Sequence, residues 1–318
     1  MLKRALGCLY GQLIGDALGC RYEFSDARRT EMMLKMDSEP DGFLPILGGG
    51  PFNMSPGQVT DDSEMAFSLA TSLCRLKKFD AADVATAYVE WSHSSPPDIG
   101  MATTAALSVE EFPKNGSVLK IDQEIKDNIL KRVLENVKKY NSGSRSNGCL
   151  MRISPLAVAV SNFSDEKARM TIESDCRLTH CDDICVDATV VYGFAIRELV
   201  NEKSPEDAYK KALDICKTED VRDLLNVSKD RAVPVKVRDG LVNGDTSSMG
   251  YIGIALQSAF YELLHAPDFA TGVISSIRRG GDTDTNGAIV AALLGRFWIC
   301  LLPCAVRLIN VEGLVIGT

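Results

Sequence analysis

Oxygen-bearing side chains are concentrated in residues 280–287, whose sequence is Gly-Gly-Asp-Thr-Asp-Thr-Asn-Gly. Two carboxylates, Asp282 and Asp284, stand two residues apart among hydroxyls and an amide. Such hard oxygen ligands suit Mg²⁺, Mn²⁺ or Ca²⁺ better than zinc. The apolar residues 288–294 follow at once, so the segment is predicted to open a helix, whose first turn tolerates negative charge.

Three interpretations of this segment compete. An EF-hand loop would have Asp282, Asp284 and Asn286 as its first ligands. Its last ligand, a bidentate glutamate, would fall on Leu293, which excludes the EF-hand. Helix capping by Asp and Thr, after a Gly-Gly turn, explains the segment when it is taken alone. A metal site needs further ligands from elsewhere in the chain, because one loop rarely completes the shell of a hard cation.

A second acidic segment, residues 57–64 with the sequence Gly-Gln-Val-Thr-Asp-Asp-Ser-Glu, begins another predicted amphipathic helix. Thr60 to Glu64 is typical of a helix-capping sequence. The adjacent carboxylates of Asp61 and Asp62 repel each other unless a cation or a helix terminus offsets their charge. The two segments together suit two divalent cations, with room for water and substrate oxygens, through the ligands Thr60, Asp61, Asp62, Asp282, Asp284 and Thr285.

Four further motifs accompany these segments in a fixed order: Gly15-Asp16-Ala17-Leu18-Gly19 with Glu23-Phe24, Pro97-Asp98-Ile99-Gly100, residues 146–152 (Ser-Asn-Gly-Cys-Leu-Met-Arg), and Thr179-His180. Together they span nearly the whole chain, and the chain resembles the ADP-ribosylglycohydrolase family. That family includes the dinitrogenase-reductase-activating glycohydrolases and the ADP-ribosyl-acceptor hydrolases of animals. Glu23-Phe24, and the Gly-Gln pair before Val59-Thr60, are more similar to the bacterial activating branch than to the animal serine-specific one.

The resemblance implies a hydrolase that cleaves the glycosidic bond between ADP-ribose and an acceptor, foremost ADP-ribosyl-arginine on proteins. It implies a centre of two Mg²⁺ or Mn²⁺ ions at the ligands named above. It implies catalytic roles for Glu23, Asp98 and Asp61, with Glu23 as the acid or base and Asp98 at the ribose. The substrate-binding residues that it implies are Gly100, Ser146, Asn147, Gly148, Cys149, Met151, His180 and Tyr251.

Several of these residues have a plain structural explanation as well. Glu23 stands between two aromatic residues, which favours a desolvated carboxyl of raised pKa, but it could equally be an exposed loop residue. Asp98 alone would be a turn aspartate after two prolines. The polar loop 141–148 could cradle a phosphate or serve as a linker. Met101 stands where the activating glycohydrolases have asparagine, which affects the choice of acceptor.

Two other activities remain open within the resemblance. The same pocket could act on O-linked serine or on small conjugates such as O-acetyl-ADP-ribose. An inactive ADP-ribose-binding relative is disfavoured, because inactive members lose acidic ligands and this chain retains all of them.

Composition limits the partners and the compartment. The net charge of −8 disfavours nucleic acid, and no apolar run is long enough to span a membrane. An anionic substrate then needs local positive charge, for which Arg145, Arg152, Arg278 and Arg279 are available. Gln12 interrupts the first apolar stretch and argues against export, so we expect a cytoplasmic monomer that acts on an ADP-ribosylated protein or small conjugate. The cysteines near His180, namely Cys176, Cys181 and Cys185, are predicted to be buried thiols and not zinc ligands.

Helices must position these residues. Patterns of period 3.6 recur and alternating strands are scarce, which predicts an all-α fold, a compact orthogonal helical bundle in one domain, 1–318. Glycines recur at every fourth position of the first helix, 4–18, and predict tight packing at Gly7 and Gly11, with Gly15 and Gly19 nearer the site. Residues 25–56 are predicted to be mostly loop, with a functional role such as a lid. The last helices are expected to pack Leu293, Leu294, Phe297, Trp298 and Leu301.

Overall fold

The computed structural model describes residues 1–110, 112–113, 116–238 and 240–295. Within these residues the chain forms helices and a single antiparallel hairpin, β1 (Val235–Val237) and β2 (Gly240–Val242). The prediction of an all-α fold is therefore confirmed. The helices are α1 (Leu2–Gly19), α2 (Ala27–Asp37), α3 (Asp61–Leu76), α4 (Ala81–Ser92), α5 (Met101–Leu107), α6 (Gln123–Tyr140), α7 (Ser154–Ala159), α8 (Asp165–Cys176), α9 (Asp183–Val200), α10 (Pro205–Ile215), α11 (Glu219–Val227), α12 (Ile252–His265), α13 (Phe269–Arg278) and α14 (Thr283–Leu294).

Both acidic segments open helices as predicted, since α3 begins at Asp61 and α14 begins at Thr283. Asp122 stands at the N-cap of α6, and Ser204 forms a capping box with Asp207 at the start of α10. Phe297, Trp298 and Leu301 lie outside the described residues, and the single domain stays a prediction. Among the helices described, none is both long and apolar enough to cross a lipid bilayer.

Two helices are buried on nearly every side and form the centre of the molecule. All residues of α9 from Ile184 to Val200 are buried except Glu198, and every residue of α14 is buried. A helix that is apolar all round belongs in the core. The first turn of α14, however, contains Asp284 and its polar neighbours. The core helix therefore carries the acidic segment into the interior.

Helices α1 and α14 pack backbone against backbone. A Cβ atom at Gly15 would overlap the carbonyl oxygen of Gly287, and one at Gly19 would overlap the carbonyl oxygen of Thr283. The same holds for Gly11 against α14. The tight packing predicted for the first glycines thus continues to the end of α1, where it reaches the first residues of α14. This row of glycines on α1 brings the C-terminal half of the helix directly against the acidic segment at the start of α14.

The prediction that residues 25–56 are mostly loop is wrong in its first part, which forms α2. Asp26 caps this helix by accepting a hydrogen bond from the Arg29 backbone N–H at 2.8 Å. The helix ends at Asp37, whose carboxylate binds Arg21 at 2.7 Å and the Tyr22 hydroxyl at 3.0 Å. The glycines and prolines that suggested a loop all lie beyond Asp37, and residues 38–60 are irregular.

Gly15→Ala tests the close approach of α1 and α14. Overpacking costs about 1–3 kcal/mol, which outweighs the gain of about 1 kcal/mol in helix propensity from alanine. We therefore expect a lower free energy of unfolding, measured by denaturant titration. Gly143→Ala is the control, since a Cβ atom there meets nothing within 4 Å. Equal stability of the two variants would contradict backbone-to-backbone packing.

Candidate metal-binding and active site

The start of α3 is held by a carboxylate from another helix. Asp16 of α1 is fully buried and accepts hydrogen bonds from the Thr60 backbone N–H at 3.0 Å and the Ser63 backbone N–H at 3.1 Å. It also accepts the Thr60 hydroxyl at 2.9 Å. Thr60 stands at the N-cap of α3, as its sequence indicated, but it forms no side-chain cap, and the Glu64 carboxylate accepts the Trp91 indole N–H at 2.7 Å. Asp16 lies in a motif noted in the sequence, but its spacing gave no sign of this role.

The two acidic segments meet as predicted. Asp62 Oδ2 accepts hydrogen bonds from the hydroxyls of Thr60 at 3.0 Å and Thr285 at 3.2 Å, one from each segment. Close by, carboxylate oxygens of Glu23, Asp282 and Asp284 lie within 4.8 Å of one another. Residues 62 and 285 thus lie in the same buried polar cluster, although they are some 220 positions apart in the chain.

Several oxygens of this cluster lack a donor. Glu23 Oε2, Asp62 Oδ1 and Asp284 Oδ2 are buried, and no hydrogen-bond partner reaches them from the described part of the chain. A buried carboxylate oxygen without a partner is costly unless it binds a cation. The donor set is made of carboxylates and hydroxyls, which are the ligands of hard divalent ions. The residues therefore form an acidic cluster that fits a metal ion.

Burial acts on every carboxyl of the cluster, and repulsion by neighbouring carboxylates adds to it at Glu23, Asp61, Asp62, Asp98 and Asp284. The two effects raise the pKa of Glu23 to about 9, through burial first and then through the charges of Asp282, Asp98 and Asp61. Burial is also the main cause that raises the pKa of Asp61 and of Asp284 well above the ordinary aspartate value. The cluster thus favours protons or other positive charge over ionised carboxylates alone.

Glu23 is tied to the segment that carries Asp282. The Phe24 backbone N–H donates to the Gly281 carbonyl at 2.8 Å, and the Gly281 N–H donates to the Ser25 carbonyl at 2.8 Å. Gly281 has φ 79°, and a side chain there would overlap the carbonyl of Gly244. Glu23 is 6% exposed, so the exposed-loop alternative is wrong and the desolvated carboxyl is observed. Asp98 is half-buried and faces the same cluster, since its pKa is raised by burial and by Asp282.

The loop that ends in residues 146–149 touches the acidic cluster. Asn147 Nδ2 donates to Asp282 Oδ2 at 2.7 Å. Ser146 pairs with Tyr251 through an isolated β-bridge, and its hydroxyl lies 2.7 Å from His180 Nε2. The other ring nitrogen of His180 lies 2.8 Å from the Thr179 hydroxyl. The predicted substrate-binding residues of this loop are therefore brought together beside the predicted metal ligands.

Two predicted substrate-binding residues turn their side chains into the core. Cys149 and Met151 are buried, and Cys149 Sγ accepts the Thr189 hydroxyl at 3.4 Å. Only their backbone atoms can meet a ligand in this arrangement. Gly100 is exposed at the start of α5. The short apolar motif between Gly148 and Arg152 is thus a core anchor for the loop.

Most of the arginines proposed as sources of positive charge are engaged elsewhere. Arg152 is fully buried, binds the carbonyl of Gly148 at 2.6 Å and pairs with Asp175 at 3.3 Å. Arg279 pairs with Glu262 and donates to Ser258, and Arg278 pairs with Glu31 on the surface. Arg145 remains at the loop: its Nε binds Asp182 at 3.0 Å, and its side chain is 47% exposed.

Two of the three cysteines near His180 are buried, as predicted, and the third is only partly buried. Cys176 and Cys185 are buried, and Cys181 is partly buried and donates to the Val137 carbonyl at 3.8 Å. Within the described residues, the side chains whose spacing would suit a metal ion are those of Glu23, Asp282 and Asp284, and not the cysteines.

Electrostatic repulsion in the cluster predicts a distinctive response to pH. The pKa of Glu23 is about 9 in the folded protein against an ordinary 4.5. The metal-free protein therefore binds more protons folded than unfolded in this range, and its stability falls as the pH rises from about 5 to 9. We expect Mg²⁺ to raise the melting temperature most at high pH.

Asp284→Asn provides the matching variant for that measurement. Because the variant has one buried carboxylate fewer, we expect its melting temperature without metal to be higher than that of the wild type. Because it also lacks a proposed metal ligand, we expect Mg²⁺ to cause no further rise of its melting temperature. Asp214→Asn, on the exposed side of α10, is the control with the same charge change. A Mg²⁺ response that survives in Asp284→Asn would place the cation elsewhere.

Comparison with known proteins agrees with this geometry. An ADP-ribosylarginine hydrolase, Tri1, of Serratia proteamaculans is 25% identical over 317 residues, which cover 92% of this chain and 72% of that protein. The ADP-ribosyl-(dinitrogen reductase) glycohydrolase of Rhodospirillum rubrum is 25% identical over 293 residues, which cover 92% of this chain and 84% of that protein.

The fold has a solved counterpart. A structure described as an ADP-ribosylglycohydrolase-related protein complex matches with a TM-score of 0.65 at 25% identity, over 93% of this chain and 87% of that one. The sequence model of ADP-ribosylglycohydrolase matches residues 1–298. The chain belongs to the ADP-ribosylglycohydrolase family, whose enzymes hydrolyse glycosidic bonds to ADP-ribose.

Proposed function

We propose that this enzyme removes ADP-ribose from arginine side chains of modified proteins and uses two Mg²⁺ or Mn²⁺ ions to do so. The observation that carries the proposal is the set of buried carboxylate oxygens without hydrogen-bond donors, where the starts of α3 and α14 meet Glu23. The retention of every acidic ligand argues against an inactive relative. The printed name of the Serratia relative, an ADP-ribosylarginine hydrolase, supports arginine as the acceptor.

The proposed ligands come from both helix starts. The hydroxyls of Thr60 and Thr285 and the carboxylates of Asp61, Asp62, Asp282 and Asp284 would hold the ions. Bound divalent ions polarise ribose hydroxyls and lower the pKa of a nearby water. Asp16 keeps Thr60 and the backbone of α3 in place through its three hydrogen bonds.

Glu23 is the proposed proton carrier. Hydrolysis breaks the bond between C1 of the ribose and the guanidino nitrogen, forms a bond from C1 to water oxygen, and moves a water proton to the departing nitrogen. A carboxyl that is buried and of raised pKa exchanges protons near neutral pH. The carboxylates of Asp98 and Asp61 would stabilise the positive charge that develops on the ribose.

The substrate's other end would lie on the loop 146–149 and its neighbours. Ser146, Asn147 and Gly148 would receive the pyrophosphate, with His180 oriented by its two hydroxyl partners. Tyr251 would stack on the base or ribose. Cys149, Met151 and Gly100 would take part through backbone atoms.

Release of ADP-ribose tests this function directly. With an arginine-ADP-ribosylated protein, we expect release in Mg²⁺ or Mn²⁺ and none after chelation. Asp284→Asn loses about 100-fold or more in kcat/KM. Glu23→Gln loses about 10²–10⁴ in kcat. Release that persists in chelator, or faster release from serine-linked substrate or O-acetyl-ADP-ribose, would contradict the proposal.

Arg145 provides a separate test of the phosphate end. Arg145 Nε binds Asp182, and no described residue accepts from its other N–H groups, which could therefore meet the pyrophosphate at the loop. We expect Arg145→Ala to raise KM about tenfold, the value of one charge-assisted hydrogen bond, without loss of kcat. Arg278→Ala is the matched control, an arginine that also pairs with a carboxylate but lies on α13. A similar rise of KM in both variants would indicate a general charge effect.

A further inference from the structure

We propose that Phe24 and Phe52 form an apolar platform beside the active site, and that it binds the polypeptide on which the modified arginine is carried. The inference rests on the proposed function, because it names the acceptor's neighbouring residues as a second substrate contact. It begins with the conformation of Phe24. This residue follows Glu23 directly and has φ 59°, and its side chain is 55% exposed.

Folding alone does not account for Phe24. The left-handed conformation costs a residue with a Cβ atom about 1–2 kcal/mol, and a phenyl ring is normally buried. Here a strained backbone displays the ring to solvent. The strain is imposed from both sides, because Phe24 N–H and Ser25 carbonyl both bind Gly281 at 2.8 Å. The bonds that fix Glu23 near Asp282 therefore also fix the ring at the edge of the site.

A second ring makes the platform rigid. The rings of Phe24 and Phe52 meet edge to face, with centroids 6.1 Å apart and an angle of 71°. Phe52 lies in a tight turn closed by two hydrogen bonds between Gly49 and Met54, at 2.7 and 2.8 Å. The turn packs closely against the residue that follows α1, because a side chain at Gly50 would overlap the carbonyl of Cys20. A surface that is already ordered loses little entropy when it binds a partner.

The position of the platform indicates which part of the substrate it meets. The Asp282 side chain binds Asn147 of the phosphate-side loop, whereas its neighbour Gly281 binds the Phe24 segment. Direct contacts therefore connect the loop to the acidic cluster, and the cluster to the platform. If the ribose bond is cleaved at the cluster, the nucleotide extends toward the loop and the acceptor extends toward Phe24.

A third exposed apolar residue follows Asp98 closely in the chain. Met101 follows Gly100 at the start of α5, three residues after Asp98, and is 91% exposed. Asp98 and Glu23 face one acidic cluster. The edge of the site is thus apolar both beside Glu23 and beside Asp98. It fits an acceptor with an aliphatic or aromatic residue next to the modified arginine, whose own methylene stem can lie across a ring.

Two ADP-ribosylated peptides test the platform, one with leucine and one with glycine on either side of the modified arginine. Free ADP-ribosyl-arginine serves as a third substrate. In the wild type we expect kcat/KM for the leucine peptide to exceed that for the glycine peptide by about five- to tenfold. Phe24→Ala and Phe52→Ala are each expected to reduce this preference to less than about twofold. Phe67→Ala, an equally exposed phenylalanine (52%) on α3, retains the full preference.

The outcomes separate the inference from the proposed function. A preference that is absent in the wild type, or undiminished in Phe24→Ala and Phe52→Ala, overturns the platform while the hydrolase remains. An equal loss on all three substrates, with weaker binding of ADP-ribose, assigns the rings to the nucleotide and also overturns it. If the wild type releases no ADP-ribose from any arginine substrate, the proposed function fails and the platform fails with it. An unchanged Mg²⁺-dependent rise of the melting temperature verifies that the variants are folded.

Discussion

Repulsion among buried carboxylates is the force that this molecule has to offset. Glu23 and the acidic residues at the starts of α3 and α14 converge where water is largely excluded, so burial and like charge act on them together. Hydroxyls of Thr60 and Thr285 offset part of the repulsion at Asp62. Three buried oxygens, one each on Glu23, Asp62 and Asp284, have no donor among the described residues, which makes positive charge the natural complement of the site.

Helix α1 determines how the two acidic segments face each other. One side of it carries Asp16, which caps the start of α3. Another side is a row of glycines, which lets α14 approach to backbone contact at Gly15 and Gly19. Helix α1 therefore fixes the positions of both acidic segments relative to each other. Glycine weakens a helix, so the stripe is explained by this close approach and not by helix propensity.

Local sequence signals predicted what depends on neighbours in the chain. The helix starts at the two acidic segments are examples, because α3 begins at Asp61 and α14 begins at Thr283, each followed by the amphipathic or apolar stretch that predicted it. The meeting of the acidic segments could be predicted, because a cation would offset the repulsion between Asp61 and Asp62 and a hard cation needs ligands from more than one segment. The cap by Asp16 could not, because it spans 44 residues and depends on how α1 packs. The prediction that Arg152 is available to an anionic substrate was wrong for the same reason, because the fold pairs Arg152 with Asp175.

The hydrogen bond between Asn147 and Asp282 links the proposed nucleotide-binding loop to the proposed metal site. One oxygen of Asp282 accepts a hydrogen bond from the Asn147 amide, so a shift of the loop would change the orientation of a proposed cation ligand. Linkage is reciprocal: whatever factor the nucleotide applies to cation affinity, the cation applies to nucleotide affinity. If both ligands bind where we propose, this single amide would couple them, and the occupancy of the centre would follow the supply of substrate as well as the supply of metal.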